Sequence, residues 1–408
     1  MKLNRLFIKV LAILLCIVQG LFMGNFAPKV KAVEGELVNS STTKDKKIDV
    51  YSEAAILIEK ETGKILYEKN IDKRMYPAST TKILTAILAI ENCELDEVAT
   101  ASKEAVRSVK TGYSTAAIQV GESFTVEELL KVLMVHSANE AGNILAEHVS
   151  GSVEEFAKLM NIKAREIGCT GSNFVNPHGA HEDNHYTTAN DLALIGRYAM
   201  QNSTFRKIVS TMECSLPDTE LWTKEESLKY GERKFYNTND LMLSNTKYYY
   251  PYVNGIKSGY TTPAKNCLVT GSNRYGFELI AVVLHAETTE NGESARNIDT
   301  INLLDYGYNN FNKEDIIAEY ELKKDNEKNY ITGIVKNTDD DIDNSNGGKE
   351  IVNERNISFN FKKLIKFILV LGILSVVTVY LYKKRKEHRE YVYNEYSIDL
   401  YRFELDTN

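Results

Sequence analysis

Strand-forming stretches in this 408-residue sequence fall into two groups separated by most of the folded chain, and that separation constrains the architecture more than any other feature. The first group is Ala54-Ala55-Ile56-Leu57-Ile58 and Ile65-Leu66-Tyr67, joined through Glu61-Thr62-Gly63-Lys64 as a hairpin with a glycine turn. The second is Tyr252 to Lys257, Cys267 to Ser272 and Phe277 to His285, the last two linked through Asn273-Arg274-Tyr275-Gly276. Between them the pattern is helical. Thr125 with Glu128, and Ser152 with Glu155, are capping-box patterns, and Gly168 closes the second helix. This order predicts an α+β domain over residues 48–310, with an antiparallel sheet closed by distant segments, flanking helices and a large helical insertion. A helix from Asn297 to Tyr306 completes it.

The strongest apolar runs lie outside that domain. Lys2, Arg5 and Lys9 precede a run from Val10 to Phe22, and Val30-Lys31-Ala32 offers small residues where a signal peptidase cuts, so residues 1–32 read as a secretory signal. A polar lead follows over 33–47. Near the other end, Leu364 to Tyr382 is apolar except for Lys366 and long enough as a helix, about 28 Å, to span a bilayer core. Lys383, Lys384, Arg385, Lys386 and Arg389 behind it place the tail, 383–408, in the cytoplasm. The expected topology is a single pass through the plasma membrane, held in lipid by the C-terminal helix, with the folded domain on the extracellular or periplasmic face. Between domain and membrane, Ile316 to Leu322 and Tyr330 to Val335 read as a short β-rich stalk over 311–335. Residues 336–358, rich in Asp, Asn and Gly, read as a flexible linker.

A formal charge of −7 makes nucleic acid a poor partner. Of five cysteines, Cys16 leaves with the signal; the spacing of Cys93, Cys169, Cys214 and Cys267 resembles neither a metal knuckle nor a dense disulfide framework. His178, His181 and His185 are spaced so that they could bind zinc, but no carboxylate or cysteine ligand motif accompanies them. No cofactor or metal is expected.

A serine nucleophile needs a base, and a lysine one helical turn later puts its amine on the same face. Ser-x-x-Lys occurs at Ser41 to Lys44, Ser79 to Lys82 and Ser244 to Lys247. Only Ser79 is followed by an apolar helix, Ile83-Leu84-Thr85-Ala86-Ile87-Leu88, which would bury the lysine flank and set the serine at a helix start, where the dipole favours developing negative charge. Ser137-Ala138-Asn139 supplies a hydroxyl and an amide at the end of the helix opened by Thr125; the same pattern recurs at Ser358 to Asn360. A Lys-[Ser/Thr]-Gly strand offers a cation and a hydroxyl to a substrate carboxylate, with a glycine that would let substrate backbone approach. Lys110-Thr111-Gly112 lies in no evident strand and precedes the Ser-x-Asn element. Lys257-Ser258-Gly259 lies on a predicted strand after both other elements and is preferred.

In that order, Ser79-Thr80-Thr81-Lys82, Ser137-Ala138-Asn139 and Lys257-Ser258-Gly259 resemble the three motifs of the penicillin-recognising serine enzymes. Phe174 to Gly179, Thr187-Thr188-Ala189, and Gly255 to Thr261 followed by Cys267-Leu268-Val269 are similar to the D-alanyl-D-alanine carboxypeptidases among the low-molecular-mass penicillin-binding proteins. The resemblance covers roughly residues 50–310 and implies a β-lactamase/transpeptidase-like fold. It implies Ser79 as acylated nucleophile, Lys82 as base, Ser137 as proton relay and Asn139 as a substrate-amide ligand that orients Lys82. Lys257 and Ser258 would bind the terminal carboxylate, and the amides of Ser79 and Tyr260 would form the oxyanion hole. The implied substrates are peptidoglycan stem peptides ending in D-Ala-D-Ala, and β-lactam antibiotics are the implied covalent inhibitors.

Ser258 departs from the usual threonine, losing a methyl that stiffens the rotamer. The shortened region after Asn310 and the spanning anchor depart as well. A class A β-lactamase would need a Glu-x-x-Leu-Asn loop, which Glu155 to Asn161 only superficially approaches. The alternatives are a D,D-endopeptidase or transpeptidase using the same site, or a non-catalytic sensor of β-lactam or wall fragments.

Overall fold

β1 (Ala54–Glu59) and β2 (Ile65–Lys69) form the expected hairpin, Ala55 facing Lys69 and Leu57 facing Tyr67. A computed structural model describes residues 48–339; the predicted signal, polar lead, membrane helix and tail lie outside the described residues. Among the described residues no helix is long and apolar enough to cross a membrane. The chain divides into Met1–Tyr330 and Ile331–Asn408, and the sheet and site belong to the first unit.

The long middle carries α1 (Lys82–Asn92), α2 (Lys103–Arg107), α3 (Val126–Lys131), α4 (Asn139–Ser150), α5 (Val153–Ile167), α6 (Ala189–Ala199), α7 (Ser203–Val209) and α8 (Lys224–Tyr230). Two small antiparallel pairs interrupt it, β3 (Val98–Thr100) with β4 (Ser123–Thr125), and β5 (Glu213–Ser215) with β6 (Lys234–Tyr236). Then come β7 (Val253–Thr261), β8 (Lys265–Arg274), β9 (Phe277–Ala286), α9 (Ala295–Asn310) and α10 (Lys313–Asp339). The main sheet has the order β2-β1-β9-β8-β7 and every pairing in it is antiparallel. Its closure is the β1–β9 ladder, from Ala54 opposite Leu284 to Glu59 opposite Leu279. The two predicted strand groups thus meet directly.

Both faces of this sheet are covered, which is why β1 and β9 read as continuous apolar runs. Alternation still sorts them. Ile56, Ile58, Val269, Ile280 and Val282 face the helical insertion, packing in one core with Ile83, Leu84 and Ile87 of α1 and Leu192 and Ile195 of α6. Leu57, Leu268, Leu279 and Val283 face the other way onto Leu303 and Leu304 of α9. Each such aliphatic side chain contributes about 1.5–3 kcal/mol on burial.

Capping follows the sequence in most places. Thr125 and Glu128 form a complete capping box, and Gly168 ends α5 with φ 102°. At Ser152 only half the box forms: its side chain accepts from Glu155 N, while the Glu155 carboxylate turns to Lys158 at 2.5 Å. The predicted β-rich stalk over 311–335 is not found. That stretch belongs to α10, whose helical course also takes the first four residues of the predicted linker; the rest of the linker lies outside the described residues. Glu314 N donates to Asn312 Oδ1 at the helix start, and Lys323 pairs with Glu319 at i,i+4. Lys64 of the first hairpin pairs with the same Glu319. Good helix formers between the apolar positions outweigh the short β-branched runs read as strands.

Buried Asp299 of α9 fastens the start of β1. Its carboxylate accepts from Tyr51 N at 2.9 Å, Ser52 N at 2.6 Å and Ser52 Oγ at 2.5 Å. Replacing Asp299 by Ala strands these donors in the interior, at a cost of about 2–4 kcal/mol. Thermal unfolding followed by circular dichroism is expected to show the D299A midpoint lowered by roughly 5–10 °C.

Candidate active site

Ser79 and Lys82 come together because a 3-10 turn, Ala78–Thr81, runs straight into α1. Lys82 Nζ lies 3.0 Å from Ser79 Oγ, 2.6 Å from Asn139 Oδ1 and 2.7 Å from the His178 carbonyl oxygen. Two carbonyl acceptors fix two N–H bonds, so the third tetrahedral position of the amine points at the serine hydroxyl. In the uncharged amine that position is a lone pair.

Burial holds Lys82 well below the usual lysine range, with the charge of Lys257 adding to the effect and Glu140 opposing it. Glu140, next to Asn139, is itself raised by burial; its Oε1 accepts from Ala116 N at 2.6 Å.

The Ala78–Thr81 turn that carries Ser79 is wedged between two glycines. A Cβ at Gly179 would lie 1.8 Å from the Ala78 carbonyl oxygen, and the residue has φ 82°. A Cβ at Gly259 would lie 2.8 Å from Ser79 N. The glycine of the Lys-Ser-Gly strand therefore lets β7 lie against the chain's own Ala78–Thr81 turn, whereas the sequence suggested an approach by substrate backbone. Ala78 is pressed into φ 48° and Ser137 into φ 72°, left-handed conformations that non-glycine residues adopt at a cost.

Ser137 ends a five-residue π turn, Val132–His136, and one residue, Ala138, separates it from α4, which begins with Asn139. Asn139 reaches Lys82; the Ser137 hydroxyl makes no hydrogen bond among the described residues. The segment before Gly179 is held from several sides. Thr85 Oγ1 donates to the Pro177 carbonyl at 2.5 Å, and Asn176 Oδ1 accepts from Gly179 N at 2.7 Å. His185 Nδ1 accepts from Val175 N at 3.1 Å, so Nε2 carries the proton and donates to Thr81 Oγ1 at 2.8 Å. Burial first and Lys82 second push His185 down to about 3, and hold His178 well below the usual imidazole range. These histidines build the wall of the serine site. Among the described residues His178, His181 and His185 do not gather around a common point.

On β7, Lys257 and Ser258 are buried and Tyr260 is exposed. Lys257 Nζ donates to the Ser258 carbonyl at 3.1 Å and lies 3.5 Å from Thr238 Oγ1. Ser258 Oγ is 2.8 Å from the same Thr238 hydroxyl. Thr238 thus fixes the Ser258 rotamer by a hydrogen bond, replacing the steric restraint of the missing methyl. Burial, then the guanidinium of Arg296, push Lys257 down to about 7. Arg296 is held by Asp240 at 3.2 Å, and its Nε is buried with no partner.

Thr238, Arg296 and Glu140 were not found from sequence; none sits in a recognisable spacing, and only tertiary packing brings them to the site. His185 was singled out only as one of three histidines spaced for zinc, and the structure gives it a place in the wall of the serine site instead. The competing motif copies separate cleanly: Lys110 is exposed beside Glu182, and Lys247 is exposed and paired with Glu293 at 2.6 Å. Ser41 and Ser358 lie outside the described residues. Cys267, fully buried on β8, donates weakly to the Tyr76 and Ala264 carbonyls, and burial pushes its thiol up to about 11, which makes it inert.

Two buried lysines without a carboxylate partner cost stability. With its value at about 7 against an ordinary 10.5, Lys257 must shed its proton on folding throughout that interval. The penalty therefore grows as pH falls from about 10.5 to 7 and is constant below, by linkage. Lys257→Met is expected to raise the thermal midpoint by roughly 5 °C at neutral pH, with the gain shrinking as pH rises from about 7 and vanishing near pH ~10.5. Melting curves of both proteins across alkaline pH check the sign.

Comparison with known proteins points the same way as the geometry. Residues 39–288 match the D-alanyl-D-alanine carboxypeptidase family. The chain is 32% identical over 319 residues to D-alanyl-D-alanine carboxypeptidase DacF of Bacillus subtilis, covering 76% of this chain and 75% of that protein. It is 30% identical over 275 residues to DacC of Escherichia coli, covering 65% of this chain and 62% of that protein. Among solved structures, the Streptomyces (strain K15) DD-transpeptidase superposes with a TM-score of 0.57 at 30% identity, covering 64% of this chain and 98% of that one. With a serine and an amine in contact at the start of α1, and the family match spanning the whole sheet and the helical insertion up to the start of α9, the chain belongs to the D-alanyl-D-alanine carboxypeptidases, a family of serine-type hydrolases.

Proposed function

We propose that Ser79 is the nucleophile of a carboxypeptidase that removes the terminal D-alanine from peptidoglycan stem peptides through an acyl-enzyme. The observation that carries this reading is the Lys82 amine, buried and aimed at Ser79 Oγ by Asn139 and His178. Uncharged Lys82 takes the hydroxyl proton as Oγ bonds to the scissile carbonyl carbon. The amides of Ser79 and Tyr260 receive the oxyanion. Asn139 holds the substrate amide, and Ser137 relays the proton from Lys82 to the departing D-alanine nitrogen as the C–N bond breaks. Water then adds to the ester and Ser79 recovers its proton. β-Lactams would acylate the same oxygen, with the leaving nitrogen kept tethered in the opened ring.

Lys257 and Ser258 receive the substrate's terminal carboxylate, and Arg296 adds positive potential beside them. The anion supplies the countercharge the pocket lacks. A second outcome is favoured by one observation, the likeness to a protein described as a DD-transpeptidase: an amine replaces water at the acyl-enzyme. The apolar runs at residues 10–22 and 364–382 and the cluster of lysines and arginines after 382 support an exported domain tethered to the plasma membrane by its C-terminal helix, with the tail in the cytoplasm.

The direct test is release of D-alanine from an acyl-D-Ala-D-Ala peptide by the purified chain. Ser79→Ala is expected to lower it by roughly 10³-fold or more. Unchanged release would remove Ser79 from the reaction, and labelling by penicillin without any release would favour a sensor. An added amine acceptor, with products resolved by mass, separates transfer from hydrolysis.

The pH profile has a fixed sense. Lys82 must be neutral and Lys257 charged, so kcat/KM is expected to rise through the depressed value of Lys82 and fall again above about 7 as Lys257 loses its proton. Bound carboxylate draws Lys257 upward. The alkaline limb of kcat should therefore lie at higher pH than that of kcat/KM, and coincident limbs would show that Lys257 does not meet the carboxylate.

A further inference from the structure

The two helices that bring Lys82 and Asn139 together both run away from the serine site, and a second group of side chains meets at their far ends. α1 starts at Lys82 and is followed at once by Cys93. α4 starts at Asn139 and carries His148 in its last turn. Glu97, just before β3, completes the group. One ligand atom from each of Cys93, Glu97 and His148 lies within 4.8 Å of the others, and His148 Nε2 is 3.0 Å from Glu97 Oε2. All three residues are half-buried. The reaction described above uses none of them.

We propose that Cys93, Glu97 and His148 form a binding site for one zinc-class divalent ion, which ties the far end of α1 to the far end of α4. A thiolate, an imidazole and a carboxylate are the donor set of a borderline-soft metal and a poor one for magnesium or calcium. Around a tetrahedral ion with bonds of about 2.0–2.3 Å, ligand atoms sit roughly 3.3–3.6 Å apart, so the observed group closes onto a metal by shifts of about 1 Å or less.

The backbone that presents the donors is already fixed. Cys93 N donates to Ala89 O at 3.0 Å, Val126 N to Glu97 O at 2.8 Å and Glu127 N to Leu95 O at 3.0 Å. Glu94 N donates to Glu97 Oε1 at 2.9 Å, which orients the carboxylate and leaves Oε2 toward His148. Such outer hydrogen bonds are what positions ligands in metal sites. Three protein donors leave the fourth position to water on the exposed side.

The test uses the full chain stripped of metal with a chelator and titrated with zinc, then with cobalt. Binding of one equivalent of zinc is expected. Cobalt should give a thiolate-to-metal charge-transfer band in the near ultraviolet and d–d bands of tetrahedral intensity. Cys93→Ser should abolish the charge-transfer band, and both Cys93→Ser and His148→Ala should weaken zinc binding at least about 10-fold. Zinc should raise the thermal midpoint of the unsubstituted chain and of neither variant. Melting in chelator shows that each variant is folded, and His148→Gln replaces His148→Ala if the latter is not. Zinc affinity equal in Cys93→Ser and the unsubstituted chain, a charge-transfer band that survives Cys93→Ser, or no binding at all overturns the site.

Discussion

Everything at the serine site depends on keeping one amine uncharged inside the protein. Lys82 is wholly buried, its N–H bonds point at Asn139 Oδ1 and the His178 carbonyl, and its remaining tetrahedral position faces Ser79 Oγ. Water would stabilise the ammonium, and Lys82 is buried away from it; a carboxylate in contact would do the same, and among the described residues none hydrogen-bonds to the amine. Glu140, the nearest acid acting on Lys82, is turned to the amides of Ala116 and Ile118 and is itself pushed toward neutrality by burial. The two carbonyl acceptors do something a single partner could not. They leave the amine one free direction, and the turn Ala78–Thr81 places the nucleophile along it.

The surrounding fold absorbs what this arrangement costs. A depressed lysine at 82, a second at 257, and left-handed conformations at Ala78 and Ser137 all oppose folding. Against them stand two apolar cores, one on each face of a sheet in which β1 is buried throughout and β8 and β9 are buried over most of their length. The β1–β9 ladder matters most here, because it joins segments more than 200 residues apart and gives β7 a rigid platform from which Gly259 can lie against Ser79 N. Asp299 ties the incoming chain to α9 at the edge of that ladder.

What was legible in the sequence was local. Strand pairs with a glycine turn, capping residues such as Thr125 with Glu128, and serine and lysine one turn apart are short-range patterns, and they appear where the sequence placed them. The order of the three motifs then selected Ser79 over two other Ser-x-x-Lys copies. What failed was also physical. Ile316 to Leu322 holds enough β-branched and aromatic residues to imitate a strand, yet Asn312 caps a helix there, and Lys64, remote in sequence, pairs with Glu319 on it. Thr238 and Arg296 carry no spacing relative to Lys257; they are neighbours only because the 3-10 turn Asp240–Met242 packs beside β7 and Asp240 pairs with Arg296 at the start of α9. The tertiary partner also changed a local inference, since the Ser258 rotamer is held by Thr238 and loses little by lacking a methyl.

Charge decides which bond the site addresses. Lys257 acts on Lys82 and Arg296 on Lys257, among the described residues Asp240 alone pairs one of the three, and burial has already taken Lys257 to about 7. An anion arriving beside Lys257 and Ser258 restores the lysine's charge and is held by it, so binding and protonation reinforce each other. A neutral group in the same place would leave Lys257 as a desolvated amine with nothing to bind. On the proposed reading, selection of the donor peptide is an electrostatic matter settled at its carboxyl end, on β7. Selection between water and an amine comes later, at the ester on Ser79, after the D-alanine and its carboxylate have left. The two choices use different parts of the site at different times, which is how one constellation can serve hydrolysis and transfer without rebuilding the residues that hold the donor.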